Sequence, residues 1–146
     1  MASAEKLFIE NNGGISFSWN DDKRSIDLIK LVREGIPYPE FAKILDFAPF
    51  TAKEWAKYLN ISSRTLERHR EERKVFRQQQ SERIVSIYQL LHYGRTVFEN
   101  QEHFYTWMDS VNIAFGRIRP KDLLDTSIGI DMVRDELGRI QHGVLA

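Results

Sequence analysis

The sequence predicts an all-α protein, a helical bundle with a central helix-turn-helix and a C-terminal helical lobe. Three observations predict it. Apolar residues recur at i, i+3 and i+4 through most of the chain. Glycine and proline punctuate segments of helical length. Few stretches alternate as a strand would.

Residues 1–20 contain "NNGG", a turn signal, followed by "ISFSW", and read as a flexible leader. From Asp21 to Glu34, Ile26, Ile29, Leu31 and Val32 fall at helical spacing, and Gly35 stops the helix from the C′ position. Pro37 and Pro39 open a second helix with Phe41, Ile44 and Leu45 on one face. Pro49 ends it by disfavouring helix at the residue before it. A third helix is expected from Thr51 to Tyr58 and a fourth from Ser62 to Arg73. A long fifth covers Ser81 to Glu99, with Ile84, Ile87, Tyr88, Leu91 and Phe98 inward. Glu102 to Ala114 is a sixth, holding Phe104, Trp107, Met108 and Val111. Pro120 starts a short helical turn through Leu124, and the final helix spans Ser127 to His142. The segment "RKVFRQQQSER" reads either as a join between two lobes or as a solvated continuation of helix. The division that follows is a leader at 1–20, an N-terminal domain at 21–78 and a C-terminal domain at 79–146.

With 146 residues, 42% of them apolar and 29% charged, the chain can bury a real core. The 21 basic and 21 acidic residues cancel, so no global field draws it to nucleic acid or membrane, and any such attraction is local. The absence of cysteine excludes disulfides, thiol nucleophiles and thiolate metal sites. No signal-peptide pattern and no run of eighteen apolar residues is present, which predicts a cytoplasmic protein.

The segment "TAKEWAKYLNISSRTLERHR" meets the demands of a helix-turn-helix. Thr51 and Glu54 fit a capping box, and Ala56 is small where two helices must cross closely. Asn60 tolerates the left-handed conformation of a tight turn. Ser62 suits the N-cap of the next helix, and Leu66 can pack back on the first. The second helix, about 18 Å long at 1.5 Å per residue, could lie in a major groove. Its first turn presents Ser62, Ser63, Arg64 and Thr65, with Arg68 one turn on. Arginine forks onto guanine, whereas serine and threonine reach phosphates or bases with little selectivity. These five residues are the candidate DNA contacts. Packing alone is the competing use, with "RTLERHREERK" a solvated face in which Arg68 pairs with Glu72 and Glu67 opposes Glu71. His69 sits where an apolar anchor is more usual.

In the last helix Ile130, Val133, Leu137, Ile140 and Val144 form a stripe that reads as core, with Asp135–Arg139 an i,i+4 pair on another face. Gly143 then releases the chain, and Val144, Leu145 and Ala146 follow. Burying Val144 and Leu145 fully would contribute roughly 1.5–3 kcal/mol apiece. A narrow apolar end closing on a carboxylate is shaped to fill a cleft.

No catalytic constellation is visible. His69, His92, His103 and His142 lack metal-ligand spacing. No strand precedes a phosphate loop, and Asp122 and Asp125 read as a first-turn helix charge and a helix cap. The chain reads as a non-enzyme without metal or cofactor.

The stretch "NIAFGRIRPKDLLDTSIGIDMVRDELGRIQHGVLA" closely resembles the toxin-binding domain of Xre/MbcA/ParS-type antitoxins. Asn112, Ala114, Gly116, Pro120, Leu123, Leu124, Asp125, Thr126, Gly129, Leu137, Arg139, Ile140 and Gly143 carry the resemblance, which extends over roughly residues 50–146 with the helix-turn-helix. Arg117 stands where the family has a second glycine, which predicts a differently shaped loop before Pro120. The resemblance implies a type II antitoxin whose partner is a RES-domain toxin that consumes NAD. The tail would block the toxin's active site, with Arg139, His142, Gly143, Val144, Leu145 and Ala146 as toxin contacts. It also implies a homodimer whose helix-turn-helix binds its own operator. The rival reading is a plain transcription regulator whose C-terminal lobe only dimerises.

Overall fold

The computed structural model describes residues 22–143, with side chains from residue 25 onward, so the leader and Val144, Leu145 and Ala146 lie outside the described residues. It is all-α. Among the described residues seven helices run α1 (Asp22–Glu34), α2 (Tyr38–Phe47), α3 (Ala52–Tyr58), α4 (Ser63–Glu72), α5 (Gln78–Val97), α6 (Gln101–Met108) and α7 (Ser127–Gln141). Two 3-10 turns, Ile113–Phe115 and Pro120–Leu123, lie between α6 and α7. Among the described residues the only β pairing is two isolated bridges, Pro37–Val75 and Asn112–Ile118. The chain divides into two units, Met1–Val85 and Ser86–Ala146, with the boundary inside α5.

The core of the first unit is aromatic. Phe41 meets Trp55 and Phe76 edge-on, each at 5.1 Å between ring centroids. Phe50 packs the same way on Trp55 and Tyr58, the offset geometry that ring quadrupoles favour. Ile36, Ile44 and Ile84 complete the fill. Two segments distant in sequence are sewn together beside it. Phe76 N–H donates to Ile36 O, and Tyr38 N–H donates to Lys74 O. Ser81 Oγ accepts from Ile36 N–H at 2.9 Å and donates to Phe76 O, so its fully buried hydroxyl is satisfied. Gly35, at φ +90°, lies so near that a Cβ there would fall 2.3 Å from Phe76 O.

This closure decides what "RKVFRQQQSER" is. Phe76 and Ser81 are buried in the first unit, most of the other side chains are exposed, and from Gln78 the segment is a largely solvated start of α5. In α1 the expected inward face is only partly buried. Leu31 is core, but Ile26 and Ile29 are about half exposed, at 52% and 47%.

The second unit packs the later part of α5, α6, the 3-10 turns and α7 around Leu90, Leu91, Phe104, Phe115, Leu124, Val133 and Leu137. The tip of the Phe104 ring abuts Gly94, where a Cβ would fall 2.0 Å from Cζ. The sixth helix is shorter than its apolar pattern predicts. It stops at Met108, and the chain turns through the Ile113–Phe115 3-10 turn, leaving Val111 exposed instead of inward.

Candidate functional site

The helix-turn-helix is built by local chemistry. Thr51 N–H donates to Glu54 Oε1 at 3.0 Å and Glu54 N–H donates to Thr51 Oγ1 at 3.1 Å, a complete capping box at the start of α3. The turn passes through Asn60 in the left-handed conformation, φ +56°, and Ile61 N–H donates back to Ala56 O. Ala56 and Leu66 are buried where α3 and α4 pack together. Arg73, also left-handed at φ +50°, closes α4. His69 turns out to be an anchor after all. Its ring stacks on Phe76 at 4.8 Å, and Nδ1–H donates to Thr65 O at 2.9 Å. A flat, hydrogen-bonded imidazole does here what an aliphatic side chain does elsewhere.

The five candidate DNA contacts fall into two groups. Ser62 Oγ accepts from Thr65 N–H and donates to Thr65 Oγ1, so Ser62 and Thr65 are engaged in capping α4. Ser63, Arg64 and Arg68 are exposed, and among the described residues neither arginine has an ion-pair partner. The expected Arg68–Glu72 pair is absent. Glu72 pairs with Lys74, and Glu67 is gripped by the Arg70 guanidinium, because i,i+3 and C-cap geometry brought nearer cations. The hydrogen bond and charge of Arg70 hold the Glu67 carboxyl below its ordinary range and so keep it ionised; the paired guanidinium offsets that charge beside Arg64 and Arg68. The outer face of α4 therefore offers two uncommitted guanidiniums one helical turn apart, suited to phosphate or guanine.

In the second unit, α7 is aimed by its first turn. Thr126, not Asp125, is its N-cap, with Oγ1 accepting from Gly129 N–H at 2.9 Å. Asp122 lies in the first turn of the Pro120–Leu123 element, as expected, and also takes two hydrogen bonds from Arg119, while Lys121 meets Asp109 at 2.6 Å. The Lys121 hydrogen bond and charge, with Arg119 adding to them, hold the Asp109 carboxyl below the usual range. Gly129 presses α7 onto the Pro120–Leu123 turn. Ile130, Val133 and Leu137 are buried as the stripe predicts, while Ile140 is partly exposed. At the far end Tyr93 OH donates to Gln141 Oε1 at 2.6 Å, tying α5 to the last turn of α7. Arg139 is exposed and pairs with Glu136 rather than Asp135, and His142 is exposed. Gly143 is left-handed at φ +68°, as a C′ residue should be.

Arg117 is left-handed too, at φ +67° next to Gly116 at +66°. The loop keeps the conformation that suits glycine, and the arginine bears the steric cost. Sequence reasoning missed the apolar surface of this unit. Ile113 is 87% exposed and Ile128 76%, with Met132 and Ile118 less so. The signal available was that Ile128 and Met132 stand four apart, off the buried stripe. Among the described residues no cluster of three or more His, Asp or Glu could hold a metal, and no helix is long and apolar enough to cross a membrane.

A helix-turn-helix unit followed by a second helical unit defines a class, the two-part helix-turn-helix proteins. Residues 27–87 match the antitoxin Xre-like helix-turn-helix domain, and residues 94–143 match the antitoxin Xre/MbcA/ParS C-terminal toxin-binding domain. The chain belongs to the Xre-type antitoxins. It is similar to an Antitoxin Xre of Photorhabdus laumondii, 24% identical over 117 residues that make up 80% of this chain and 79% of that protein. It is also similar to an Antitoxin Xre of Yersinia enterocolitica, 27% identical over 124 residues, 84% of each chain.

Proposed function

We propose that this type II antitoxin neutralises an NAD-consuming RES-type toxin by occluding its active site with the segment Gly143–Ala146. It is a binding protein rather than an enzyme, and it acts in the cytoplasm. The observation that carries the reading is the construction of α7 within the toxin-binding domain. The helix is capped by Thr126, fixed by a buried stripe and tied at its end by Tyr93, and it delivers a left-handed Gly143 at the surface. A helix already fixed in this way limits the ordering cost of docking, because its own side chains are held before the partner arrives. Arg139 and His142, exposed beside it, are contacts for the rim of the toxin's cleft.

The same chain binds its own operator as a homodimer, with α4 in the major groove. The exposed Arg64 and Arg68 and the Arg70-neutralised Glu67 support this. Ser63 contributes a phosphate contact, while Ser62 and Thr65 hold the helix start.

The test is direct. The product of the gene adjacent to this chain's own is purified, and its NAD consumption is followed as the antitoxin is added. Consumption should stop near equimolar antitoxin. Undiminished NAD loss in the presence of a stable complex would reject occlusion.

A further inference from the structure

A stable protein–protein interface takes about 20–30 residues a side, and the segment proposed to occlude the active site, Gly143–Ala146, is four residues. Most of the contact must therefore come from elsewhere. The second unit carries apolar side chains that its own core does not cover. Ile113 is 87% exposed, and it is not on a slack loop. Asn112 Oδ1 caps the 3-10 turn by accepting from Ala114 N–H at 2.9 Å. Asn112 O accepts from Arg117 N–H, Asn112 N–H donates to Ile118 O, and Gly116 N–H donates to Ile113 O. Phe115 plugs the loop into the core beside Trp107. Two successive left-handed residues, one of them an arginine, are kept to hold this shape. Backbone strain retained to present a bare isoleucine marks a preorganised contact. On α7, Ile128 and Met132 lie four apart on one exposed edge, opposite in purpose to the buried Ile130, Val133 and Leu137.

We infer that Ile113 and the Ile128–Met132 edge are docking anchors for the toxin, separate from the occluding tail. The inference rests on the antitoxin reading, and its occupant is the toxin because both features fall inside the toxin-binding domain, residues 94–143. The tail blocks and these anchors hold. An isoleucine knob of this kind fits an apolar socket on the toxin surface outside the active-site cleft.

The experiment uses the full chain and the immobilised product of its adjacent gene. Ile113→Asp and the double variant Ile128→Asp/Met132→Lys should each weaken binding by about 30-fold or more, the range of an interface hot spot. Ile113→Leu should stay within about threefold. Thermal stability should hardly move, since these side chains are exposed in the free chain. Light scattering on the same samples reports self-association. If both charged variants bind the toxin within threefold of wild type, the anchors are wrong while the antitoxin reading stands. If they instead lose self-association and keep toxin binding, a second copy is the occupant and the inference is equally overturned. If the wild-type chain does not bind, the antitoxin reading fails and takes the inference with it.

Discussion

Two glycines of α7 are expected to answer the same substitution with opposite signs. Replacing a mid-helix glycine by alanine ordinarily stabilises a helix by about 0.8–1 kcal/mol. At Gly138 nothing opposes that gain, because the new Cβ would meet Tyr93 Oη at 3.6 Å, an ordinary contact. Gly129 is different. Its Cβ would lie 1.8 Å from Leu123 O and 2.8 Å from Leu123 C. To reach even 3.0 Å the carbonyl must retreat by about 1.2 Å, and it belongs to backbone rather than to a flexible side chain. Overpacking of this kind costs about 1–3 kcal/mol or more. With backbone in the way the cost lies at the upper end, about 3 kcal/mol, so Gly129→Ala should lose roughly 2 kcal/mol net, and Gly138→Ala should gain roughly 0.5–1 kcal/mol. Urea denaturation of both variants beside wild type measures the pair. If Gly129→Ala is as stable as wild type, or Gly138→Ala is the weaker of the two, the close packing of α7 on the Pro120–Leu123 turn is wrong.

Arg117→Gly should raise stability by roughly 0.5–1 kcal/mol, the left-handed cost of a non-glycine residue less the extra entropy of glycine; a loss in chemical denaturation would contradict the strained loop. Arg64→Ala should weaken operator binding by about 1–3 kcal/mol, read by fluorescence anisotropy at fixed salt, while Arg70→Ala should act through the freed Glu67; equal affinity of Arg64→Ala and wild type for operator DNA would count against α4 as the reading helix. Burial, and then the charge of Arg95, hold the His92 imidazole neutral to lower pH than usual. The unfolded chain takes up that proton as pH falls through about 6.5, so it binds more protons than the fold and stability drops below that pH. His92→Gln should flatten this part of the stability–pH curve, and an unchanged slope would refute the assignment.

How far the molecule could be read from its sequence varied with how local the physics is. The helix-turn-helix was legible because each of its joints is specified within a few residues: Thr51 with Glu54, Asn60 for the left-handed turn, Ser62 for the cap. Likewise, Pro49 ends α2 at an extended Ala48. Where the determinant was distant, the reading slipped. Nothing local shows that Phe76 closes onto Ile36, or that Ser81 is buried between them. The apolar spacing of the sixth helix runs on to Val111, but the chain leaves it at Met108 to make the Asn112–Ile118 bridge. Ion pairs were the least legible. Asp135 and Glu136 are both within reach of Arg139 along the helix, and the pair forms with Glu136. In the candidate site the roles of Ser62 and Thr65 as caps and of Arg64 and Arg68 as uncommitted cations separate only once the hydrogen bonds are seen. Nothing in the local sequence marks Ile113 as exposed. It is exposed because the turn around it is fixed by Asn112, Gly116 and Arg117.

The measurement that bears most directly on occlusion compares the full antitoxin with a chain ending at His142, each titrated into the purified toxin while NAD consumption and binding are recorded together. The shortened chain is expected to bind through the rest of its second unit and yet leave the toxin turning over NAD. Full inhibition by the shortened chain would mean that the last four residues do not enter the active site, and that blocking is done by another surface.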